Sequence, residues 1–398
     1  MTAQQRSMLF ASEAVGALLA VLPSTWLMHR IGERKVFATV GFLSAVTTAS
    51  VPFAASLGIK YMIIARAAQG VGLAACLPVM GSVTAHWSSR SENGLFVGVL
   101  STSIQLASMF TMPISGALCV SDGGWPSVYY VHAVLSAALF LLWSICYRDS
   151  PHKHPCVAES ELRKILHNNE RALSRKERRP VPYKAIITSS AVWAIWIASI
   201  GNFFGMQLVI QFMPTYMNKV LGFSITKTGI TTALPLCLQF VVKMVAGPSS
   251  DKIHCVTELT KLRLFNTFAM CGMATFFVAL AFIPPSEPTW ALLCFIGSTC
   301  CLGLSCGGFL KSSSLVAHQY SQFVMAIIQA FMCITILILP FVVGALAPNN
   351  LATEWRIIFL INAGILLLAN AFFCLFGSAE RAEWADETRD GKNDPVRF

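Results

Sequence analysis

The sequence predicts an all-α, polytopic membrane protein, and three observations carry that expectation. Roughly eleven apolar stretches fill the chain, each about 20 or more residues long and so able to cross a hydrocarbon core about 30 Å thick. Of the 398 residues, 55% are hydrophobic and 12% charged, with a mean hydropathy of +0.63; a soluble domain averages about 25% charged. The basic residues are also one-sided. Of 29 Lys and Arg, 22 lie in alternate connections, namely 29–35, 86–93, 148–184, 249–263, 311–321 and the tail after Gly377. The other connections and the N-terminus hold four: Arg6, Lys60, Lys219 and Arg356. This is the positive-inside bias. It predicts a cytoplasmic long loop and C-terminus and, with an odd number of spans, Met1 on the far side. The net charge of +10 therefore reads as topology, not as a nucleic-acid surface.

The spans follow in order. Stretches 7–28 and 36–56 flank the basic connection 29–35, and 61–85 and 94–119 flank 86–93. Stretch 126–147 runs into the long polar loop. Stretch 185–213 leaves that loop and is followed by 226–248. The connection 249–263 leads to 264–284. Stretches 289–310 and 322–346 flank 311–321, and 356–377 leads into the tail. All should be helices, because in lipid the backbone must satisfy its own hydrogen bonds. Small residues such as Gly70, Gly72, Gly303, Gly307 and Gly308 suit close helix packing. Pro23, Pro78, Pro113, Pro235 and Pro340 fall in or near spans, where neighbouring helices can repair the bonds they break.

The organisation expected is a five-span bundle over 1–147, a basic linker over 148–184, a six-span bundle over 185–378 and a tail over 379–398. The linker holds ten basic and five acidic residues, and Glu159 to Ser174 is a candidate surface helix. Two helical halves around a linker point to a transporter built from repeats. A weak internal repeat supports them: the first span ends at His29-Arg30 and the seventh at Asp251-Lys252. These hold the same rank only if one helix is missing ahead of residue 7. No cleavable signal peptide and no Asn-x-Ser/Thr sequon is evident. The 13 cysteines lie mostly in spans, and Cys300, Cys301 and Cys306 lack zinc-site spacing. No metal or cofactor is expected.

Arg66 is the first candidate for substrate binding. A charge in mid-membrane costs about 2.5–3.5 kcal/mol on insertion scales and normally faces a cavity or a partner. Gln69 lies one turn on. An arginine there would grip a carboxylate or phosphate through two parallel hydrogen bonds. The competing view is that Arg66 snorkels to an interface marked by Tyr61. Lys243 is the second candidate, with snorkelling again the alternative. Asn202, Gln207 and Gln211 form a polar stripe at spacings of five and four that lines a pore or joins helices. Glu13 is a candidate proton site near the outer end of its span, with a solvated or helix-paired role as the alternative. His29, Arg30, Arg34, Asp251 and Lys252 sit at helix ends, where they set topology or lock one conformation. No catalytic constellation stands out, so an enzyme is not expected.

These residues resemble the major facilitator superfamily, and more narrowly the sialin, vesicular glutamate transporter and type I sodium-phosphate cotransporter family (solute carrier family 17). The stretches that carry the resemblance are Arg66-Ala-Ala-Gln69-Gly70, Gly124-Trp125-Pro126-Ser127-Val128-Tyr129-Tyr130, Asp149-Ser150-Pro151 through His154-Pro155, Thr188 through Trp196, and Phe376-Gly377-Ser378-Ala-Glu380 followed by Trp384. The resemblance implies a major facilitator fold with about eleven of the usual twelve helices, the first being absent. It implies two bundles rocking around a central organic-anion site, in which Arg66 matches the family's fourth-helix arginine. It also exposes departures. Leu73 stands where relatives carry a glutamate linked to proton coupling, Phe10 where the glutamate transporters have a histidine, and Asn202 where they have an arginine. His29 replaces the loop motif's acidic residue and Thr25 its leading glycine, whereas Asp251 keeps the acid in the second half. The function implied is secondary active or facilitative transport of a small organic anion or phosphate. Sodium or proton coupling stays open, and so does the choice between plasma membrane and vesicle or lysosome. A monomer in the lipid bilayer is expected. The alternative is a truncated, non-transporting chain with a binding or regulatory role.

Overall fold

The structure, a computed structural model, describes residues 3–89, 92–119, 121–166, 181–253 and 255–385. Those residues are mostly helical, with no strand among them. The first half comprises α1 (Ala3–Ile31), α2 (Glu33–Leu57), α3 (Ile59–Ala74), α4 (Cys76–Trp87), α5 (Asn93–Ser101), α6 (Ser103–Cys119) and α7 (Gly124–Cys146). The short α8 (Glu159–Leu166) and α9 (Tyr183–Thr188) follow. Of the expected surface helix, 159–166 is formed and 167–174 lies outside the described residues, as does the tail from 386. The second half comprises α10 (Ser190–Gln207), α11 (Met213–Lys219), α12 (Ile225–Lys252), α13 (Glu258–Phe282), α14 (Pro288–Gly303), α15 (Phe309–Ala317), α16 (Ser321–Leu346) and α17 (Ala352–Phe376).

Ten helical stretches are long and apolar enough to cross a membrane. One of them, Pro288–Leu346, runs for 59 residues. At 1.5 Å per residue it would reach about 88 Å, nearly three times a hydrocarbon core of about 30 Å. It is broken at His318–Tyr320 by a 3₁₀ turn whose first residue has φ 42°. The described residues thus make eleven crossings, as the apolar runs predict.

Prolines explain where crossings break. Pro78 cannot donate to the preceding turn, and the third crossing is interrupted at Ala75, between α3 and α4. Pro214 follows a π-helical turn, Leu208–Phe212, that separates α10 from α11. Within the first half α3 packs along α1 and α2, and α7 along α2; within the second, α17 packs along α13 and α10. Between the halves α16 packs on α1 and α4, and α12 on α5 and α6. The largest buried cluster centres on Trp196, Phe277, Phe295, Trp355 and Phe359 of the second half. Many Leu, Val and Phe side chains are exposed, as expected of a surface facing lipid.

Candidate functional site

Arg66 and Gln69 lie three residues apart on α3 and so share a face. Arg66 Nη1 donates to Gln69 Oε1 at 3.0 Å and lies 3.5 Å from Glu13 Oε2 on α1. Gln69 Nε2 in turn donates to Thr48 Oγ1 on α2 at 2.6 Å. Glycine permits this approach. A Cβ on Gly70 would collide with the carbonyl oxygen of Glu13, and one on Gly16 with that of Ala67. The two charges that the sequence nominates for separate roles, Arg66 and Glu13, therefore form one half-buried ion pair. The guanidinium carries five N–H donors, and its Nε and Nη2 make no hydrogen bond among the described residues. Part of the donor fork is therefore uncommitted.

Lys243 lies in the seam between the halves. It is buried, and its Nζ donates to the Ser101 carbonyl at 2.9 Å, where α5 breaks from α6, and to Gln105 Oε1 at 3.2 Å. Gln105 Nε2 continues to Gln239 Oε1 on α12 at 3.0 Å. Its described partners are neutral oxygens of the first half, so it does not extend to water. Asn202 and Gln207 are buried on α10. They stand five residues apart, about 140° around the helix, and face different ways. Gln211 Nε2 donates to Gln207 Oε1 at 3.4 Å, while Asn202 Nδ2 has no partner.

The basic end of the bundle holds a second set of seam contacts. Asp251, at the end of α12, accepts the backbone N–H groups of Gly94 at 3.0 Å and Leu95 at 2.8 Å. These belong to the first turn of α5, where unpaired donors and the helix dipole favour an anion. Gly94, Gly98 and Gly247 make the crossing possible, since a Cβ on any of them would meet backbone of the other helix. Lys311 Nζ on α15 donates to the same carboxylate at 2.8 Å, and the two side chains are 2% and 7% exposed. Glu258 pairs with both Lys261 and Lys311. Beside them Ser314 Oγ donates to Asn93 Oδ1 at 2.7 Å. On the other side of the seam Leu77 N–H, at the break next to Pro78, donates to Gln329 Oε1 on α16 at 3.3 Å.

The remaining gate candidates lie elsewhere. Arg34 reaches the Ser144 carbonyl from its Nε at 2.9 Å, and its backbone N–H donates to Asp149 Oδ1 at 2.7 Å, all within the first half. Arg30 stacks over Trp26, and Lys252 is exposed. His29 lines a cavity between the end of α1 and the start of α16. Sequence reasoning missed Lys311, Glu258, Gln105, Gln239 and Gln329. The one available signal was Lys311 itself, a lone charge in an otherwise uncharged stretch, Gly307 to Tyr320.

Known proteins resemble this chain in sequence and in fold. A sequence model described as Major Facilitator Superfamily matches residues 1–321. The chain belongs to the major facilitator superfamily. Among sequence relatives, human sialin is 27% identical over 96% of this chain and 77% of its own length. The mouse sodium-dependent phosphate transport protein 3 is 25% identical over 96% of this chain and 80% of its own. The zebrafish vesicular glutamate transporter 3 is 24% identical over 93% and 63%. These are the solute carrier family 17 relatives that the motifs point to. A solved structure of the proton:xylose symporter XylE bound to 6-bromo-6-deoxy-D-glucose superposes with a TM-score of 0.75 at 18% identity, covering 96% of this chain and 88% of that one. That likeness speaks for the facilitator fold. The chain is accordingly a multi-pass membrane transporter of the facilitator type.

Proposed function

We propose that this facilitator moves a small organic anion or phosphate across the membrane by alternating access, with Arg66 as the anion-gripping residue. The observation that carries this is the half-buried guanidinium, paired on one side with Glu13 and Gln69 and keeping Nε and Nη2 uncommitted. A planar fork matches a carboxylate or phosphate in a way that a point charge does not. The names of the relatives, among them a sodium-dependent phosphate transport protein, favour the same substrate class. Glu13 competes with substrate for Arg66. Protonation of Glu13, or a bound cation beside it, would release the arginine, which leaves either proton or sodium as coupling ion. Lys243 and the Asp251–Lys311 pair hold the halves together at the basic end and must open in each cycle.

In uptake assays on intact cells or proteoliposomes, Arg66→Ala abolishes anion flux while leaving membrane insertion unchanged, and Arg66→Lys restores little of it. Normal flux from the alanine variant would reduce the residue to a helix-packing role. We further propose that the basic end, including the segment after Gly377, is cytoplasmic and that Met1 lies on the opposite side, from the distribution of Lys and Arg. Epitope tags at the two ends, probed after selective permeabilisation, should appear on opposite sides. A shared side would contradict the eleven-crossing topology.

A further inference from the structure

The internal repeat that the sequence suggests pairs the end of α1 with the end of α12, and the two seams they make are not filled alike. At one, the end of α12 delivers the Asp251 carboxylate to the first-turn N–H groups of α5. At the other, the end of α1 faces the start of α16, and His29 stands where the acid would be. Here there is a cavity of about 480 Å³. Its walls are largely apolar: Leu22 and Trp26 from α1, Tyr183 and Ile187 from α9, Phe323 and Ile327 from α16. Leu22, Trp26, Tyr183 and Ile187 are each about half exposed, so this wall opens sideways onto the lipid-facing surface.

Among the described residues, neither Asp nor Glu lines the polar end of the cavity. α16 is 26 residues long, and its N-cap residue, Tyr320, supplies no side-chain cap. Gln322, in the first turn, lines the cavity; it is 8% exposed and its Nε2 has no hydrogen-bond partner. An unpaired buried donor is destabilising, and a helix N-terminus favours negative charge. Arg30, stacked 5.2 Å over Trp26, adds positive charge at the rim. The site thus combines donors that call for an anionic oxygen with an apolar slot that reaches the bilayer.

We propose that this cavity binds one anionic phospholipid. Its phosphate takes the α16 N-terminus and the Gln322 amide, and an acyl chain lies between Trp26, Ile187 and Ile327. The lipid does at the α1–α16 seam what Asp251 does at the α12–α5 seam: it joins the end of one half to the start of a helix in the other. A bound lipid therefore favours the arrangement in which the basic end is closed.

The test uses the full chain, delipidated in detergent, with binding read by native mass spectrometry and by thermal unfolding, independently of transport. Dioleoyl-phosphatidylglycerol is expected to bind at one molecule per chain and to raise the melting temperature. Gln322→Leu weakens that binding on the order of tenfold, as loss of one hydrogen bond to a charged group implies. His29→Asp supplies a competing carboxylate and also lowers lipid binding, while melting no lower than the wild type in lipid-free detergent. It carries the test should Gln322→Leu fail to fold. Wild-type lipid binding by both variants would overturn the proposal. Equal binding of a choline-headed lipid would overturn the assignment of an anionic head group, and equal protection by inorganic phosphate would replace the lipid with a free ion. Protection by none of these would leave an empty cavity and sink the idea.

Discussion

The two halves bury their last helix to very different extents. In the most apolar stretch of α17, which closes the second half, 44% of residues are buried; in that of α7, which closes the first, the share is 6%. Each packs along a matching neighbour, α17 on α13 and α7 on α2. The difference is α10, which runs into the π turn and α11 to make the most buried of the candidate crossings, at 72%. α17 lies along it, and no described helix of the first half takes the equivalent place. Side chains such as Val134, Leu139 and Leu142 of α7 are therefore exposed. Burial in a membrane follows from the number of neighbours, because lipid is as apolar as leucine and exacts little penalty for exposure.

The largest effect should come from supplying that neighbour. An apolar helix of about 20 residues, taken from a sialin and fused ahead of Met1, would cover the polar groups near Glu13 and Arg66. Each unsatisfied polar group facing lipid costs several kcal/mol, and every 1.4 kcal/mol is a factor of ten. Folded yield should rise, and anion flux per correctly inserted molecule should rise about tenfold or more. Equal flux with and without the added helix would show that eleven crossings suffice, and that the asymmetry between α7 and α17 is harmless.

What was legible in the sequence divides along the same line. The eleven crossings were legible because length and charge placement are properties of single segments. The pairing of Glu13 with Arg66 was not, since it depends on Gly16 and Gly70 bringing α1 and α3 together. Lys243 stood out as a lone charge, but its anchorage on Ser101 and Gln105 arises only where α12 crosses the other half. Lys311 was hidden more deeply. It fell in the connection expected over 311–321, yet α15 continues past the expected span and buries it against Asp251. Asn202 and Gln207 show the converse error: a polar series in sequence does not make a stripe when its spacing is five.

The two seams offer the next test. Asp251 and Lys311 form a buried pair, whereas His29 at the matching position lines a cavity. Removing one partner of a buried pair costs about 3–5 kcal/mol, because the other charge is left uncompensated. Asp251→Asn and Lys311→Met should each lower stability by roughly that amount. The double variant should recover part of the loss, giving a large coupling in a double-mutant cycle. His29→Asn should cost no more than about 1 kcal/mol. Thermal unfolding in detergent, followed with a thiol-reactive dye, measures all four. Additive effects at Asp251 and Lys311 would mean that the pair is not a unit, and an equal cost at His29 would mean that the two seams are alike after all.

The smallest effects give the sharpest reading of the open face. In the second half, a Cβ on Gly201 of α10 would sit 2.7 Å from the Ala369 Cβ of α17. In the first half, a Cβ on Gly116 of α6 meets nothing within 4 Å. Gly201→Ala should therefore force α10 from α17 and cost about 1–3 kcal/mol by overpacking. Gly116→Ala should be neutral, or stabilising by up to about 1 kcal/mol through helix propensity alone. Gly116→Leu should also be tolerated, since lipid accepts the larger side chain. The comparison is informative because both positions are glycines in apolar helices, so only what lies opposite separates them. If Gly116→Leu instead lowers folded yield as Gly201→Ala does, that face of α6 is covered in the membrane. Repeating the substitution in the chain with the added sialin helix would then show whether that helix is what covers it.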